Sequence, residues 1–246
     1  MTNLEVLIDL YKRYTKKHLT KIFLSIFFSI LVAGSTAMIA YLLDPAIEKI
    51  FIEKNQKLML IIPFIILIQF NLNTIILGLA SMPFAFTYPL MKRFTYWPQL
   101  FLGITFNYGL LLGWTSIDGQ ISIIPIVFYL GAIFWTLGYD TIYGFQDIED
   151  DEIIGVKSTS IKFKQNPKIF LSICYLIFTL FFVLIGIKLN FNYHFFIGAI
   201  AIFFHLLVIQ IMNFDKQNKE KCLKIFKSNN SLGLIILTCI LIGKLN

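Results

Sequence analysis

The chain has 246 residues, of which 57% are hydrophobic and only 14% are charged, and its mean hydropathy is +0.76. Soluble domains carry roughly 25% charged residues, so this composition excludes an ordinary water-soluble globular protein. The net charge of +7 could attract nucleic acid, but the basic residues lie in short segments between apolar runs, as membrane topology signals do. We therefore expect an integral membrane protein that contacts membrane lipid and binds no nucleic acid.

Apolar runs recur along the chain, and a membrane-spanning helix needs about 20 such residues. They predict an all-α, polytopic transmembrane bundle of about seven spans, at residues 22–43, 58–90, 100–114, 121–145, 169–187, 193–214 and 232–245. The second run is too long for one straight helix, and Asn71, Asn73 and Pro83 interrupt it. It is either one broken crossing or two short helices that meet near Asn71. If this run crosses the membrane an odd number of times, most Lys and Arg residues fall on the inner side. Because Lys and Arg are enriched in cytoplasmic loops, we favour an odd number of crossings.

An acidic stretch, GYDTIYGFQDIEDDEIIGVKST, occupies residues 138–159 at the end of the fourth span. Asp140, Asp147 and Asp151 share one face if the helix continues, because steps of seven and four residues return to the same side. Tyr143 lies on or near that face. A carboxylate close to the hydrocarbon boundary is costly unless it is paired. Mg²⁺ prefers oxygen ligands and often bridges carboxylates to substrate phosphates. We therefore predict a magnesium site at the three aspartates that binds a lipid diphosphate.

The other acidic residues of this stretch have a simpler interpretation. Glu149, Asp150 and Glu152 are typical of a solvated loop, and we favour that interpretation for them.

Two basic segments are predicted on the same side of the membrane as the aspartates. Lys92 and Arg93 lie in YPLMKRFTYWPQ (88–99), and Lys157 lies in VKST. Their cations could bind a diphosphate or a substrate carboxylate, for which a planar guanidinium is well suited. As alternatives, Lys157 could be a topology signal only, and Ser228 and Asn229 could cap the last helix or line the mouth of the site. For Ser228 and Asn229 we favour caps.

Taken together, these motifs resemble the UbiA superfamily of intramembrane prenyltransferases. The resemblance rests on YPLMKRFTYWPQ, on residues 138–159 and on FKSNNSLGL (226–234), and it covers about residues 69–246. It is closest to members that act on 4-hydroxybenzoate in ubiquinone biosynthesis.

The resemblance implies a mechanism and a location. Mg²⁺ and acidic residues hold a polyprenyl diphosphate, and its departure leaves an allylic cation that attacks the ring of 4-hydroxybenzoate beside the phenol. Asp140, Asp147 and Asp151 match the second aspartate motif of the family, and Arg93 matches the position expected to bind the benzoate carboxylate. A bacterial inner membrane, with the site loops in the cytoplasm, is the expected location.

The sequence departs from the family pattern in two places. It has no NDxxDxxxD motif, the first aspartate motif of the family, and residues 1–65 are similar to the first transmembrane helix of an ABC exporter. We therefore predict an exporter-like segment and outside loop at 1–65 and a truncated UbiA-like domain at 66–246.

Two further hypotheses remain open. One is an inactive membrane remnant, or a fusion of a prenyltransferase with an exporter fragment. The other is an exporter component, but the chain has no GxxxxGK[ST] nucleotide-binding motif and that hypothesis leaves the aspartates unexplained.

Overall fold

The computed structural model describes residue 61, residues 64–66 and residues 68–245. The chain divides into two units, Met1–Ile66 and Leu67–Asn246. In the first unit, residue 61 and residues 64–66 are described, and they are helical. The predicted span at 22–43 lies outside the described residues, as does nearly all of the exporter-like segment 1–65. The proposed division into domains therefore stays a prediction.

The second unit is helical along its described length and contains no β-strand there, which confirms the all-α prediction. Its elements are α1 (Leu72–Thr87), a 3₁₀ turn (Tyr88–Leu90), α2 (Met91–Phe94), α3 (Pro98–Phe106), α4 (Gly109–Asp118), α5 (Ile123–Gly144), α6 (Ile148–Ile154), α7 (Thr159–Lys162), α8 (Pro167–Lys188), α9 (Tyr193–Phe204), a π-helical segment (His205–Met212) and α10 (Lys219–Lys244).

Six segments of the described chain are long and apolar enough to cross a membrane, which corresponds to six of the seven predicted spans. Their large apolar side chains are widely exposed, for example Ile173, Leu180 and Ile200. Such surfaces are stable against lipid and not against water. The chain is therefore an integral membrane protein. The six segments are Leu72–Phe94, Pro98–Asp118, Ile123–Gly144, Pro167–Lys188, Tyr193–Met212 and Lys219–Lys244.

Asn71 accounts for the break in the long apolar run 58–90. Its side-chain Oδ1 accepts a hydrogen bond from the Thr74 N–H at 3.0 Å, so Asn71 is the N-cap from which α1 begins. The same side chain donates to the Thr115 carbonyl at 2.8 Å and ties α1 to α4. From Leu72 to Phe94 the chain has the length of a single crossing, and Pro83 lies inside α1 without ending it.

The last span begins earlier than the sequence suggested. Helix α10 starts at Lys219, where Asn218 Oδ1 accepts from the Lys221 N–H at 2.9 Å. The prediction that Ser228 and Asn229 cap this helix is wrong, because both lie in its interior. The polar first turns are amphipathic: Cys222 and Ile225 are buried, whereas the lysines beside them are exposed. A search for runs of high mean hydropathy misses such turns, because their exposed lysines lower the mean.

Helix α5 lies at the centre of the unit and packs against α3, α8 and α10. It meets α8 closely at Gly138, where the ring of Tyr175 occupies the place that a side chain would take. The Tyr175 ring is 1% exposed, and its hydroxyl donates to the Gln210 side chain. Aromatic residues of α8 and α9, including Phe178, Phe182 and Phe195, complete the core.

Gly138→Ala is expected to destabilise the protein by about 1–3 kcal/mol, since overpacking a close helix contact forces neighbours to shift. An added Cβ would overlap Tyr175 Cε1, and the ring is held by its hydrogen bond. Gly113→Ala is the matched control, because its Cβ would meet nothing within 4 Å. Unfolding of both variants in dodecyl sulfate, monitored by circular dichroism, measures this loss of stability. Equal midpoints for the two would contradict the packing described.

Candidate active site

Three connecting segments meet at one end of the bundle, which we call the inner end because it carries most basic residues. These segments are residues 88–99, 145–166 and 213–218. The Lys157 N–H donates to the Lys92 carbonyl at 2.7 Å and joins the first segment to the second. Lys168, at the start of α8, donates from Nζ to the Met212 carbonyl at 3.4 Å, next to the third. The basic and acidic motifs found in the sequence therefore lie together in space.

A cavity of about 280 Å³ lies at this end between α3, α5 and the turn after α1. Its charged lining residues are Asp140 and Lys92, of opposite sign, and the other walls are mainly apolar or aromatic. Asp140 is partly buried and lies in the last two turns of α5. The remaining lining residues are Tyr88, Pro89, Pro98, Gln99 and Leu102.

Lys92 also connects the cavity to α6, the helix that contains Asp150 and Asp151. Its Nζ lies 3.5 Å from Oδ2 of Asp151, a residue of α6 that is only 8% exposed. Charge-assisted hydrogen bonds are usually about 2.7–2.9 Å long, so this ion pair is loose. Lys92 therefore balances the charge of Asp151 through a long contact and can shift toward an anion in the cavity.

The condition for a shared face of Asp140, Asp147 and Asp151 is not met, because the helix does not continue through them. Helix α5 ends at Gly144, a turn follows, and Asp147 occupies the N-cap position of α6 without making a capping bond. At this turn lies Phe145, whose side chain is 1% exposed and packs against Phe214 at 5.1 Å between ring centroids. Its N–H bonds to the Ile142 carbonyl at 3.2 Å, which tightens the chain into a turn.

Among the described residues no group of three or more His, Cys, Asp or Glu side chains is placed to hold a metal ion. Magnesium is commonly held by one or two carboxylates together with substrate phosphates, and seldom by protein alone. A carboxylate at the cavity wall, Asp140, fits that mode. The donor set therefore suits a magnesium ion shared with a diphosphate, and not one bound by protein ligands only.

A group of buried hydrogen bonds fixes the segment that carries Lys157. Gln99 Oε1 accepts from the Thr159 N–H at 2.9 Å, and the hydroxyls of Thr141 and Thr159 lie 2.6 Å apart. Ser160 donates to the Thr141 carbonyl at 2.7 Å. All four side chains are buried, so α3, α5 and α7 are held in one register. Sequence reasoning missed these residues, although they lie in or beside the quoted motifs.

The other predicted site residues lie around the cavity and not on its wall. Lys157 Nζ donates to the Phe94 carbonyl at 3.3 Å and lies 5.6 Å above the Tyr96 ring. Tyr143 is 38% exposed and packs against Phe226. Arg93 and Asp147 are exposed. The structure thus brings Lys92, Asp140 and Asp151 together and places Arg93, Tyr143, Asp147 and Lys157 at the periphery.

A second polar group lies deeper in the bundle, and only Asn229 among its residues was singled out in the sequence. Asn229 Oδ1 accepts from Trp135 Nε1 at 2.9 Å and from Gln210 Nε2 at 2.8 Å, while Tyr175 donates to Gln210. Gln210 belongs to the π-helical segment, a geometry that is frequent at functional sites. The bonds orient Trp135, which packs on Tyr139 beside the cavity residue Asp140.

Comparison with known proteins identifies relatives of this chain. The sequence model of the UbiA prenyltransferase family matches residues 58–233. Three similar proteins are the mitochondrial 4-hydroxybenzoate polyprenyltransferases of Bos taurus and Arabidopsis thaliana, at 41% and 40% identity, and 4-hydroxybenzoate geranyltransferase 1 of Lithospermum erythrorhizon, at 41%. Each alignment covers 73% of this chain, and it covers 48%, 44% and 59% of the relative, respectively. The chain thus spans about half the length of these relatives.

Two solved structures are similar in fold. One is a digeranylgeranylglyceryl phosphate synthase, with a TM-score of 0.61 and 18% identity, and the alignment covers 78% of this chain and 68% of that one. The other is a UbiA homologue from Aeropyrum pernix K1 without ligand, with a TM-score of 0.61 and 19% identity over 73% of this chain and 67% of that one. At this identity they support the transmembrane helical architecture and nothing more specific.

Proposed function

Because the chain belongs to the UbiA prenyltransferase family, we propose that it transfers a polyprenyl group from polyprenyl diphosphate to the ring of 4-hydroxybenzoate, as in ubiquinone biosynthesis. The observation that carries the proposal is the cavity between Asp140 and Lys92 at the inner end of the bundle. Such a cavity lies where apolar helices end. It therefore matches a prenyl donor that has a charged head and an apolar tail.

The acceptor is better supported than the donor. The names of all three relatives contain 4-hydroxybenzoate, whereas two specify polyprenyl transfer and one specifies geranyl transfer. The region that matches the family, residues 58–233, includes the residues that line the cavity. We therefore propose 4-hydroxybenzoate as acceptor and leave the length of the prenyl chain undetermined.

In this proposal the residues of the chain divide the chemistry between them. Lys92 attracts the diphosphate and stabilises the negative charge that grows as the C–O bond breaks. Magnesium, when bound to Asp140, Asp147 or Asp151 and the diphosphate, would supply further charge neutralisation to the leaving group. The apolar walls at Pro89 and Leu102 exclude water from the allylic cation. Once the C–O bond has broken and diphosphate has left as an anion, the ring carbon beside the phenol forms the new C–C bond with the cation, and the ring then releases a proton.

We also propose a bacterial plasma membrane as the location, with the inner end in the cytoplasm. The basic residues of the connecting segments support this orientation, since Lys and Arg are enriched in cytoplasmic loops. The relatives from Bos taurus and Arabidopsis thaliana are named as mitochondrial. Separation of membranes from cells that express the chain natively tests the compartment.

The proposal predicts a product in a simple assay. Membranes that contain the folded chain, Mg²⁺, a polyprenyl diphosphate and ring-labelled 4-hydroxybenzoate should convert the label into an organic-soluble prenylated acid. Membranes without the chain are the control. If folded, inserted protein forms no product with geranyl or longer diphosphates, the enzymatic proposal fails and the hypothesis of an inactive remnant or fusion is favoured.

Arg93→Ala is expected to raise the KM for 4-hydroxybenzoate by roughly tenfold or more, since a charge-assisted hydrogen bond contributes about 1.5–3 kcal/mol. Arg93 is exposed at the inner end, next to Lys92, where it can reach a carboxylate that enters from the aqueous side. Steady-state kinetics with the diphosphate held at saturation measure the effect. Lys188→Ala is the control, because Lys188 lies at the end of α8 that is farthest from the inner end. An unchanged KM in Arg93→Ala would remove this role.

A further inference from the structure

A second and larger cavity of about 580 Å³ opens at the inner end, away from Asp140. It lies between the start of α8 and the connection that leads into α10. Three lysines line it, namely Lys168, Lys216 and Lys221, together with one carboxylate, Asp215. None of its lining residues lines the Asp140 cavity, so the proposed prenyl transfer does not account for it.

The charge of this cavity is largely unbalanced. Lys168 donates to the Met212 carbonyl at 3.4 Å and Lys216 donates to the Lys164 carbonyl at 3.2 Å, so both ammonium groups contact backbone oxygens. Within the described part of the chain, none of the three lysines forms an ion pair with an acidic side chain. Asp215 accepts from the Gln217 N–H at 3.1 Å and offsets one positive charge. The cavity therefore attracts anions.

An apolar surface continues from the cavity along α8. Ile169 lines the cavity and is 62% exposed, and Ile173, Leu176 and Leu180 follow it on the same side of the helix with 51–59% exposure. Steps of three and four residues keep these side chains in one stripe. In a membrane this stripe contacts acyl chains, so an anion in the cavity can carry its acyl chains directly alongside α8.

We propose that this cavity binds the phosphate of an anionic phospholipid whose acyl chains lie along the stripe Ile169–Ile173–Leu176–Leu180. Basic pockets between transmembrane helices on the cytoplasmic side are suited to anionic headgroups. A zwitterionic lipid carries a compensating ammonium group, so three lysines contribute less to its free energy of binding. The stripe distinguishes the lipid from a soluble phosphate, because a soluble phosphate uses the cavity alone.

Native mass spectrometry of the purified full chain tests the proposal, with phosphatidylglycerol and phosphatidylcholine titrated separately in detergent. The wild type should retain phosphatidylglycerol in preference to phosphatidylcholine. Each lysine near a membrane surface contributes about a fivefold gain in affinity for anionic lipid. Lys168→Gln should therefore weaken phosphatidylglycerol binding about fivefold, and the triple variant with Lys216→Gln and Lys221→Gln on the order of 100-fold.

Two further variants separate the cavity from net charge and from misfolding. The triple variant Lys188→Gln, Lys224→Gln, Lys227→Gln removes the same charge from positions outside the cavity and should bind phosphatidylglycerol as the wild type does. Asp215→Asn keeps a side-chain oxygen for the Gln217 N–H and should strengthen binding about fivefold, a gain that misfolding cannot produce. Three results would overturn the proposal: no preference for phosphatidylglycerol, equal loss in both triple variants, or complete displacement of the lipid by millimolar inorganic phosphate.

Discussion

Asp140→Asn is expected to lower kcat by roughly 10²- to 10³-fold, the size of effect seen when one electrostatic contact to a transition state is removed. Asp140 is the acidic residue that lines the inner cavity, and Lys92 is the opposing charge. The amide keeps the shape of the carboxylate and loses the negative charge that magnesium requires. The loss should therefore appear in binding of the diphosphate as well as in turnover, while the protein still folds and inserts.

The control for Asp140→Asn is Asp150→Asn. Asp150 lies in the same acidic stretch but is exposed, and it does not line the cavity. Its replacement should change kcat by less than a factor of two or so, because surface charges away from a site contribute little. Product formation from labelled 4-hydroxybenzoate measures both variants. Comparable rates in wild type and Asp140→Asn would remove Asp140 from the site.

Lys92→Met is expected to reduce kcat/KM for the prenyl diphosphate by roughly 10- to 150-fold, which corresponds to one charged hydrogen bond of about 1.5–3 kcal/mol. The substitution also leaves the Asp151 carboxylate, 8% exposed, without its cation. Stability should fall as well, because a buried charge that loses its partner is costly. The kinetic effect should concern the diphosphate, and the KM for 4-hydroxybenzoate should stay nearly constant.

Lys164→Met is the control for Lys92→Met. Its Nζ pairs with Glu152 at 2.8 Å, which is shorter than the 3.5 Å of the Lys92 pair, but both partners are well exposed. Exposed ion pairs contribute about 0–1 kcal/mol, so this shorter contact should matter less than the longer one. Kinetics and detergent unfolding of the two variants decide the comparison. If Lys164→Met lowers kcat/KM or stability more than Lys92→Met does, the proposed role of Lys92 at the cavity is wrong.

Much of the architecture could be read from the sequence because a bilayer imposes strong constraints on it. Long apolar runs and the positions of the lysines gave six spans that the described residues confirm. The interruption at Asn71 was visible because polar residues break the apolar run there, and the structure shows that Asn71 is the N-cap of α1. The start of α10 was not visible, because its first turns contain Lys219 and Lys221 and only one face of them is buried.

The acidic and basic motifs indicated the site, but their geometry depends on contacts between residues that are distant in sequence. The end of the helix at Gly144 is accompanied by the packing of Phe145 against Phe214, a contact that the stretch 138–159 alone does not show. Gln99 and Thr159 pair in the same way across two segments. Asn229 has the composition of a cap and instead bonds Trp135 and Gln210 inside the bundle. Local patterns identify such residues without identifying their partners.

We propose that the cavity at Asp140 and Lys92 binds a diphosphate together with magnesium, and a binding measurement separates this step from the later chemistry. Equilibrium binding of labelled geranyl thiodiphosphate, an analogue that resists ionisation, can be measured on the purified chain with Mg²⁺ or with excess chelator. We predict binding that requires Mg²⁺, is lost in Asp140→Asn and persists in Asp150→Asn. Binding of equal strength in Asp140→Asn, or without any divalent ion, would contradict the account.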